Sequence, residues 1–307
     1  MNRSNLMNKD RFYYISNLDI NLPEISDDEQ KLFESYVEMT RFFIELSELY
    51  KIFKANYSLL LENFTININD TVIYKLKTLK EDELFTLINT FTINLISSGK
   101  SLSDSVDIYL KTILGKELFD TFRSRVSSPI YDKNFSYKFL LQLRNYSQHG
   151  HIPIEINEIN KAGFNLDDIL NKPHFKKNGS VEKEMIEIRE KILSNFGHTP
   201  HISYVYTIAD FIYCTIKIYY EFLLFIKDDL KINYNEIKEK LLKRPELTNQ
   251  EGIVYYNFDG NFFHAFNATD NVLSLFTEIK KIVRADLTKE ETELKEIKKY
   301  LIKQDIQ

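Results

Sequence analysis

Tryptophan is absent from the 307 residues, and cysteine occurs once, at Cys214. A single thiol cannot close an intramolecular disulfide, so no disulfide framework holds this chain and a reducing compartment suits it. Glycine (8) and proline (6) are few for the length. So few breakers argue against a sandwich of many short strands and favour long helices. The N-terminal residues 1–15 contain no uninterrupted apolar signal core. The longest apolar-rich run, residues 202–226, is broken by Asp210, Lys217 and Glu221. It reads as a buried core helix and not as a membrane span, so no membrane partner is expected. A surplus of positive charge is missing as well. The formal net charge of −5 argues against coating long duplex nucleic acid, while a small local phosphate site stays open. A cytoplasmic protein is expected.

What is present is an ordinary globular composition, 43% hydrophobic and 28% charged, rich in Tyr (19) and Phe (23). The length allows one large domain or two smaller ones, each with a sizeable core. Residues 1–25 read as an irregular arm. Ser26 and Glu29 form a capping-box signal, and Leu32, Phe33, Tyr36, Val37, Phe43, Ile44, Leu46, Leu49, Phe53 and Tyr57 then keep helical spacing. This predicts one long helix or two joined by a bend. Residues 67–70 carry a loop signal. A helix is expected over 81–98, closed by Ser97-Ser98-Gly99. Another opens at Ser101 or Ser103 and ends at Gly115.

Residues 123–134 read as a polar connector. Asn134 is a candidate cap for the next helix, which carries Phe135, Phe139, Leu140, Leu143 and Tyr146 and stops at Gly150. Residues 155–180 look irregular, with at most a short helix. An amphipathic helix follows over 180–196, and Thr199-Pro200 opens the apolar helix through residue 226. Beyond a Lys/Glu/Asn-rich stretch, the aromatic segment 253–266 is centred on Asp259-Gly260, a hairpin signal. A capping box at residues 288–291 starts a charged final helix.

The chemistry-bearing stretch is Leu143-Arg144-Asn145-Tyr146-Ser147-Gln148-His149-Gly150. Arginine clamps phosphate in fork geometry, histidine moves protons near neutral pH, and asparagine can orient either. At about 100° per residue, Asn145 and His149 share a face, and the apolar stripe of Phe135, Phe139, Leu143 and Tyr146 runs beside Arg144 and His149. Both should flank the packed face. His149 lies at the expected helix C-terminus, where the helix dipole favours the protonated imidazole.

The Arg-Asn-x-x-x-His pattern, in a helix after an aromatic–aliphatic run, resembles the signature of the HEPN superfamily. The resemblance spans residues 90–153. It implies an all-α helical bundle and a metal-independent endoribonuclease of the bacterial toxin or phage-defence type. It also implies a homodimer in which Arg144 and His149 of two copies meet in one site, without a cofactor. Arg144 would bind the scissile phosphate, His149 would move the proton, and Asn145 would orient the pair. An antitoxin or other regulatory partner would fit that class. The alternative is a non-catalytic module of the same fold that binds a nucleotide or a partner protein; a third reading is a structural subunit that dimerises through the motif helix, and in an inactive protein Arg144 and His149 would simply hold a helix end and a dimer seam.

Other candidates have plain readings beside the functional ones. Arg123, Arg125, Lys133 and Lys138 form a basic cluster that could receive RNA phosphates or form a solvated helix face. His151 could assist His149, although a loop histidine is more often simply solvated. His149, His151, His174, His198 and His201 match no standard ligand spacing, so no metal is expected. Tyr204, Tyr206, Tyr213, Tyr219 and Tyr220 read as core and rim aromatics. Gly99-Lys100-Ser101 lacks the upstream glycine of a phosphate loop, because Asn94 stands there. The expected organisation is an arm over 1–25, a mainly α-helical HEPN-like bundle over 26–226, and a C-terminal extension over 227–307 that contains a small β-hairpin.

Overall fold

The computed structural model describes residues 27–67, 69–148, 154–156, 161–171, 179–196, 200–242, 254–258 and 263–267. The fold is mainly helical with a small strand-containing part. The chain contacts divide into two units, one over residues 45–225 and the other over 27–44 together with the described residues from 226 onward. The expected arm over 1–25, the cap Ser26 and the final helix after residue 288 lie outside the described residues.

Helix α1 is continuous over Asp27–Asn63, so the first stretch is one helix. A short antiparallel hairpin follows, β1 (Phe64–Ile66) with β2 (Val72–Tyr74), in the register Phe64↔Tyr74. Helix α2 runs over Glu81–Tyr109, continues as a π-helical turn over Leu110–Leu114, and breaks at Gly115, whose φ of 91° only glycine adopts easily. The stop expected at Gly115 is therefore found. The break expected at Gly99 is not. Gly99 is an interior residue of α2, and a Cβ built there would lie 2.7 Å from Cζ of Phe211 and 3.2 Å from Cε2 of Phe53. The glycine lets two aromatic rings approach the helix backbone, and Ser101 and Ser103 continue the same helix.

The segment read as a polar connector is also helical. Helix α3 (Lys116–Phe122) passes through a π-helical turn over Arg123–Ser127 into α4 (Ser128–Lys133), with Pro129 in the first turn, where a missing N–H costs nothing. Asn134 separates α4 from α5 (Phe135–Gln148) in extended conformation, and its carbonyl accepts from the Lys138 N–H. Its side chain serves the preceding helix instead, because Nδ2 donates to the Ile130 carbonyl at 2.6 Å.

Residues 155–180 hold more order than their sequence suggests. Strands β3 (Glu155–Ile156), β4 (Ala162–Asn165) and β5 (His201–Ser203) form an antiparallel sheet in that order, with α6 (Leu166–Asn171) and α7 (Gly179–Phe196) between β4 and β5. Asn89 of α2 clasps the chain at the start of β3. Its Nδ2 donates to the Ile154 carbonyl at 3.2 Å, and the Ile154 N–H donates back to Oδ1 at 3.1 Å. Helix α8 (Tyr204–Leu242) begins after β5 and not at Thr199-Pro200, and runs on past residue 226. In the other unit, β6 (Val254–Phe258) pairs with β7 (Phe263–Asn267), which is the hairpin the aromatic segment predicted.

The core of the 45–225 unit lies among α1, α2, α5 and α8. Phe53, Ile88, Leu95, Ile96, Phe139, Leu143 and Phe211 are fully buried. Phe211 sits edge-on to Phe53 at 6.4 Å and stacked on Tyr137 at 5.6 Å, while Tyr50 stacks on Tyr219 at 4.1 Å. Tyr204 is buried, and its hydroxyl lies 2.7 Å from Thr92 Oγ1. The α8 tyrosines are thus core and rim residues, as their spacing suggests.

Asp70, in the loop between β1 and β2, fastens this hairpin to the start of α8. Its Oδ1 accepts from the Ser203 hydroxyl at 2.8 Å and from the Val205 N–H at 2.9 Å, and its carbonyl accepts from the Ala162 N–H at 2.9 Å. It holds φ at 66°, a left-handed value that Asp and Asn tolerate and Ala does not. Burial raises its pKa above the ordinary 3.8, against the pull of its hydrogen bonds and of Lys161. The folded state therefore holds this proton more tightly than the unfolded chain does, and the stability that the neutral acid contributes is lost as pH rises from 3.8 through the folded value. Asp70→Asn keeps an acceptor and the backbone angle and removes the buried charge, so it should match or exceed wild-type stability at neutral pH. Asp70→Ala orphans two donors and strains the turn, at a cost of about 1–3 kcal/mol. Urea unfolding at neutral pH checks the pair; an Asn variant as damaged as the Ala variant would refute this account.

Candidate functional site

Helix α5 presents the motif. Its buried face is wider than the expected stripe. Phe139 and Leu143 are fully buried, but Leu140 is too and Tyr137 and Leu141 are also buried, while Phe135 is half-buried and stacks on Phe139 at 5.4 Å. The Tyr146 side chain, His149 and His151 lie outside the described residues. In projection Arg144 falls about 40° from Leu140 and about 20° from Tyr137, inside the packed arc. It is correspondingly half-buried and does not merely flank the core. Its Nε is cut off from solvent and has no hydrogen-bond partner among the described residues. Asn145, the next residue, is exposed.

The other cations of this region contrast with Arg144. Lys138, expected in the basic cluster, is 4% exposed. Its ammonium is paired with Glu184 of α7 and donates to the Asp132 carbonyl at 3.2 Å, so it is already committed inside the protein. Its hydrocarbon stem lies in the packed interior and only the tip reaches a counter-charge. Arg189 is paired with Asp167, and Lys100 with Asp104. Among the described residues no carboxylate is paired with Arg144.

The basic cluster is divided. Arg125 and Lys133 line one pocket with Lys217 and Glu221, whereas Arg123 opens on a different cleft. That second cleft, about 490 Å³, is walled by α2, the π-helical turn over Arg123–Ser127, α4 and α5, and it brings Asn145 together with Arg123. The α2 wall is the face of Ser103, Asp104 and Asp107, and the α5 wall carries Gln142 beside Asn145. Some of these groups are satisfied internally. Ser103 Oγ lies 2.8 Å from the hydroxyl of Tyr137, whose pKa burial pushes up, so this phenol stays protonated. Others are open. Among the described residues, the side chains of Asp107, Arg123, Gln142 and Asn145 make no hydrogen bond, and the Ser127 hydroxyl is buried without one. Burial raises the Asp107 pKa, and the nearby Arg123 only partly offsets that. A π-helical turn at a cleft wall is a common device for placing side chains that a regular helix would turn away.

The sequence reading missed the α2 wall. Lys100, Ser103, Asp104 and Asp107 repeat at helical spacing on one face, opposite Leu102 and Val106, which is a readable signal. Treating Gly99 as a helix end hid it.

Among the described residues no group of His, Cys, Asp or Glu is arranged to hold a metal ion, and no helix is long and apolar enough to cross a membrane. His201 instead lies 3.2 Å from Glu155, and the lone thiol of Cys214 is buried with its pKa pushed up. Compared with family models, with curated proteins and with solved structures, the chain matches none.

Proposed function

We propose that this chain is a metal-independent endoribonuclease that acts as a homodimer, with Arg144 as phosphate-binding and charge-stabilising group and His149 as proton-transfer group. The observation that carries the reading is the state of Arg144. Among the described residues no carboxylate pairs with this half-buried guanidinium, and the part of the side chain that solvent still reaches can take an external anion. A phosphate oxygen is the acceptor that its fork geometry fits best. Asn145 stands exposed beside it and can hold the phosphate or the imidazole. In this reading the imidazole takes the proton of the ribose 2′-hydroxyl, that oxygen attacks phosphorus, and the P–O bond to the next nucleotide breaks as its 5′-oxygen takes a proton from an imidazolium of the two-copy site. The products are a 2′,3′-cyclic phosphate and a 5′-hydroxyl. One chain supplies one Arg and one His, so the second pair comes from a second copy. The toxin or defence role, and an antitoxin or regulatory partner, belong to the same proposal through the HEPN resemblance.

The test is incubation of purified full-length chain with a labelled single-stranded RNA in excess chelator, with light scattering at micromolar protein. Cleavage that persists in chelator and a dimeric mass are expected. A monomer that cuts RNA at full rate would remove the two-copy site. RNA that is bound but never cut would transfer the reading to the non-catalytic nucleotide-binding module.

A further inference from the structure

The cleft beside the motif has unused polar capacity of a definite chemical pattern. Asp107 offers a carboxylate with no internal hydrogen-bond donor among the described residues, and it faces the same space as two primary amides, Gln142 and Asn145. Arg123 lies near enough to influence Asp107 electrostatically without an ion pair between them. Tyr131 adds an aromatic ring to the wall. A volume of about 490 Å³ suits a nucleotide-sized guest.

A carboxylate accepts two parallel donors. Among the RNA bases only guanine sets an imino N1–H beside an amino N2–H on its pairing edge; adenine and cytosine place an acceptor next to their amino group, and uracil flanks its N–H with carbonyls. The guanine O6 and N7 are acceptors, which the amide N–H groups of Gln142 and Asn145 complement. We propose that this cleft reads the guanine base of a single-stranded RNA, with Asp107 on the N1–H and N2–H, the Gln142 and Asn145 amides on O6 and N7, and Arg123 on a flanking phosphate. The proposal rests on the ribonuclease reading and adds a substrate preference to it. The energetic sense is direct. The Asp107 carboxyl is desolvated and the Arg123 charge only partly offsets that, so two charge-assisted hydrogen bonds from the base would restore what burial removed. Single-stranded bases are read in this manner, splayed from their neighbours and hydrogen-bonded at their edges.

The experiment is calorimetric binding to the full-length chain, using guanosine, inosine and adenosine monophosphates and the single-stranded pentamers UUGUU and UUAUU. Guanosine monophosphate should bind at least about tenfold tighter than adenosine monophosphate, with inosine monophosphate between, because it keeps N1–H and lacks the amino group. UUGUU should exceed UUAUU by a similar factor. Asp107→Asn should abolish both preferences, and its melting temperature should not fall, since it removes a desolvated charge. Equal binding of all three nucleotides by the wild type overturns the proposal without any variant. A preference that survives Asp107→Asn in folded protein overturns the role of Asp107. A preference among nucleotides with none among pentamers shows a guanine site whose ligand is a free nucleotide, and overturns the RNA part. If guanine is preferred and no RNA is cut, the subsite stands and the ribonuclease reading falls. If RNA is cut with no guanine preference, the reverse holds.

Discussion

Arg144→Gln and His149→Ala are each expected to slow single-turnover RNA cleavage by at least about a hundredfold, the scale for losing electrostatic or general acid–base help in a transition state. Glutamine is the informative replacement at position 144. The side chain is half-buried between the projections of Leu140 and Tyr137, so truncation to alanine would also open a packing defect and confuse lost chemistry with lost structure. Glutamine keeps most of the stem and removes a half-buried charge that no carboxylate pairs among the described residues. If removing that charge relieves a desolvation cost, the folded Arg144→Gln protein should be at least as stable as wild type while cutting far more slowly. Asn145→Ala should cost less, because its exposed amide orients a partner and carries neither charge nor proton. His151→Ala, beyond the motif, should cost least. Circular dichroism on each variant separates misfolding from chemistry. Folded Arg144→Gln and His149→Ala proteins that cut as fast as wild type would remove the motif from the active site.

The sequence disclosed the long helices, the Gly115 stop, the hairpin around Asp259-Gly260 and the apolar face of the motif helix, because each rests on spacing or on a turn residue acting locally. It did not disclose what depends on distant partners. Gly99 carries the local mark of a helix end, yet it serves as a gap for Phe211 and Phe53, which come from two other helices. The strands β3, β4 and β5 have two, four and three residues, too short for an alternation to register, and they are held by pairing and by the Asn89–Ile154 clasp. Lys138 reads as part of a basic surface, and only the packing of α7 reveals that its charge is spent on Glu184. The site follows the same division. Arg144 and Asn145 were legible as a motif, whereas the cleft that joins Asn145 to Arg123 and Asp107 needed α2 to be a single uninterrupted helix.

That continuity gives the second large effect. Phe211 is fully buried, edge-on to Phe53, stacked on Tyr137 and in reach of any Cβ at position 99. Phe211→Ala should cost about 3–5 kcal/mol, the range for emptying a buried aromatic site. Gly99→Ala should cost about 1–3 kcal/mol, because the new methyl would sit 2.7 Å and 2.8 Å from two Phe211 ring carbons, and the stacking on Tyr137 and the edge contact with Phe53 restrict how far that ring can turn. Without the phenyl ring the same methyl keeps one tight contact, Cε2 of Phe53 at 3.2 Å, which can ease by a few tenths of an ångström into the vacated space, and alanine is the better helix former by about 1 kcal/mol. In the Phe211→Ala background, then, Gly99→Ala should become neutral or stabilising. The sign reversal is the diagnostic, since a glycine needed for a helix end or a bend would stay damaging in both backgrounds. Urea unfolding of the two single variants and the double variant measures the coupling, which should exceed about 1 kcal/mol for residues in direct contact. Additive costs would mean that Gly99 and Phe211 do not meet, and that α2 does not pass position 99 as one straight wall of the cleft.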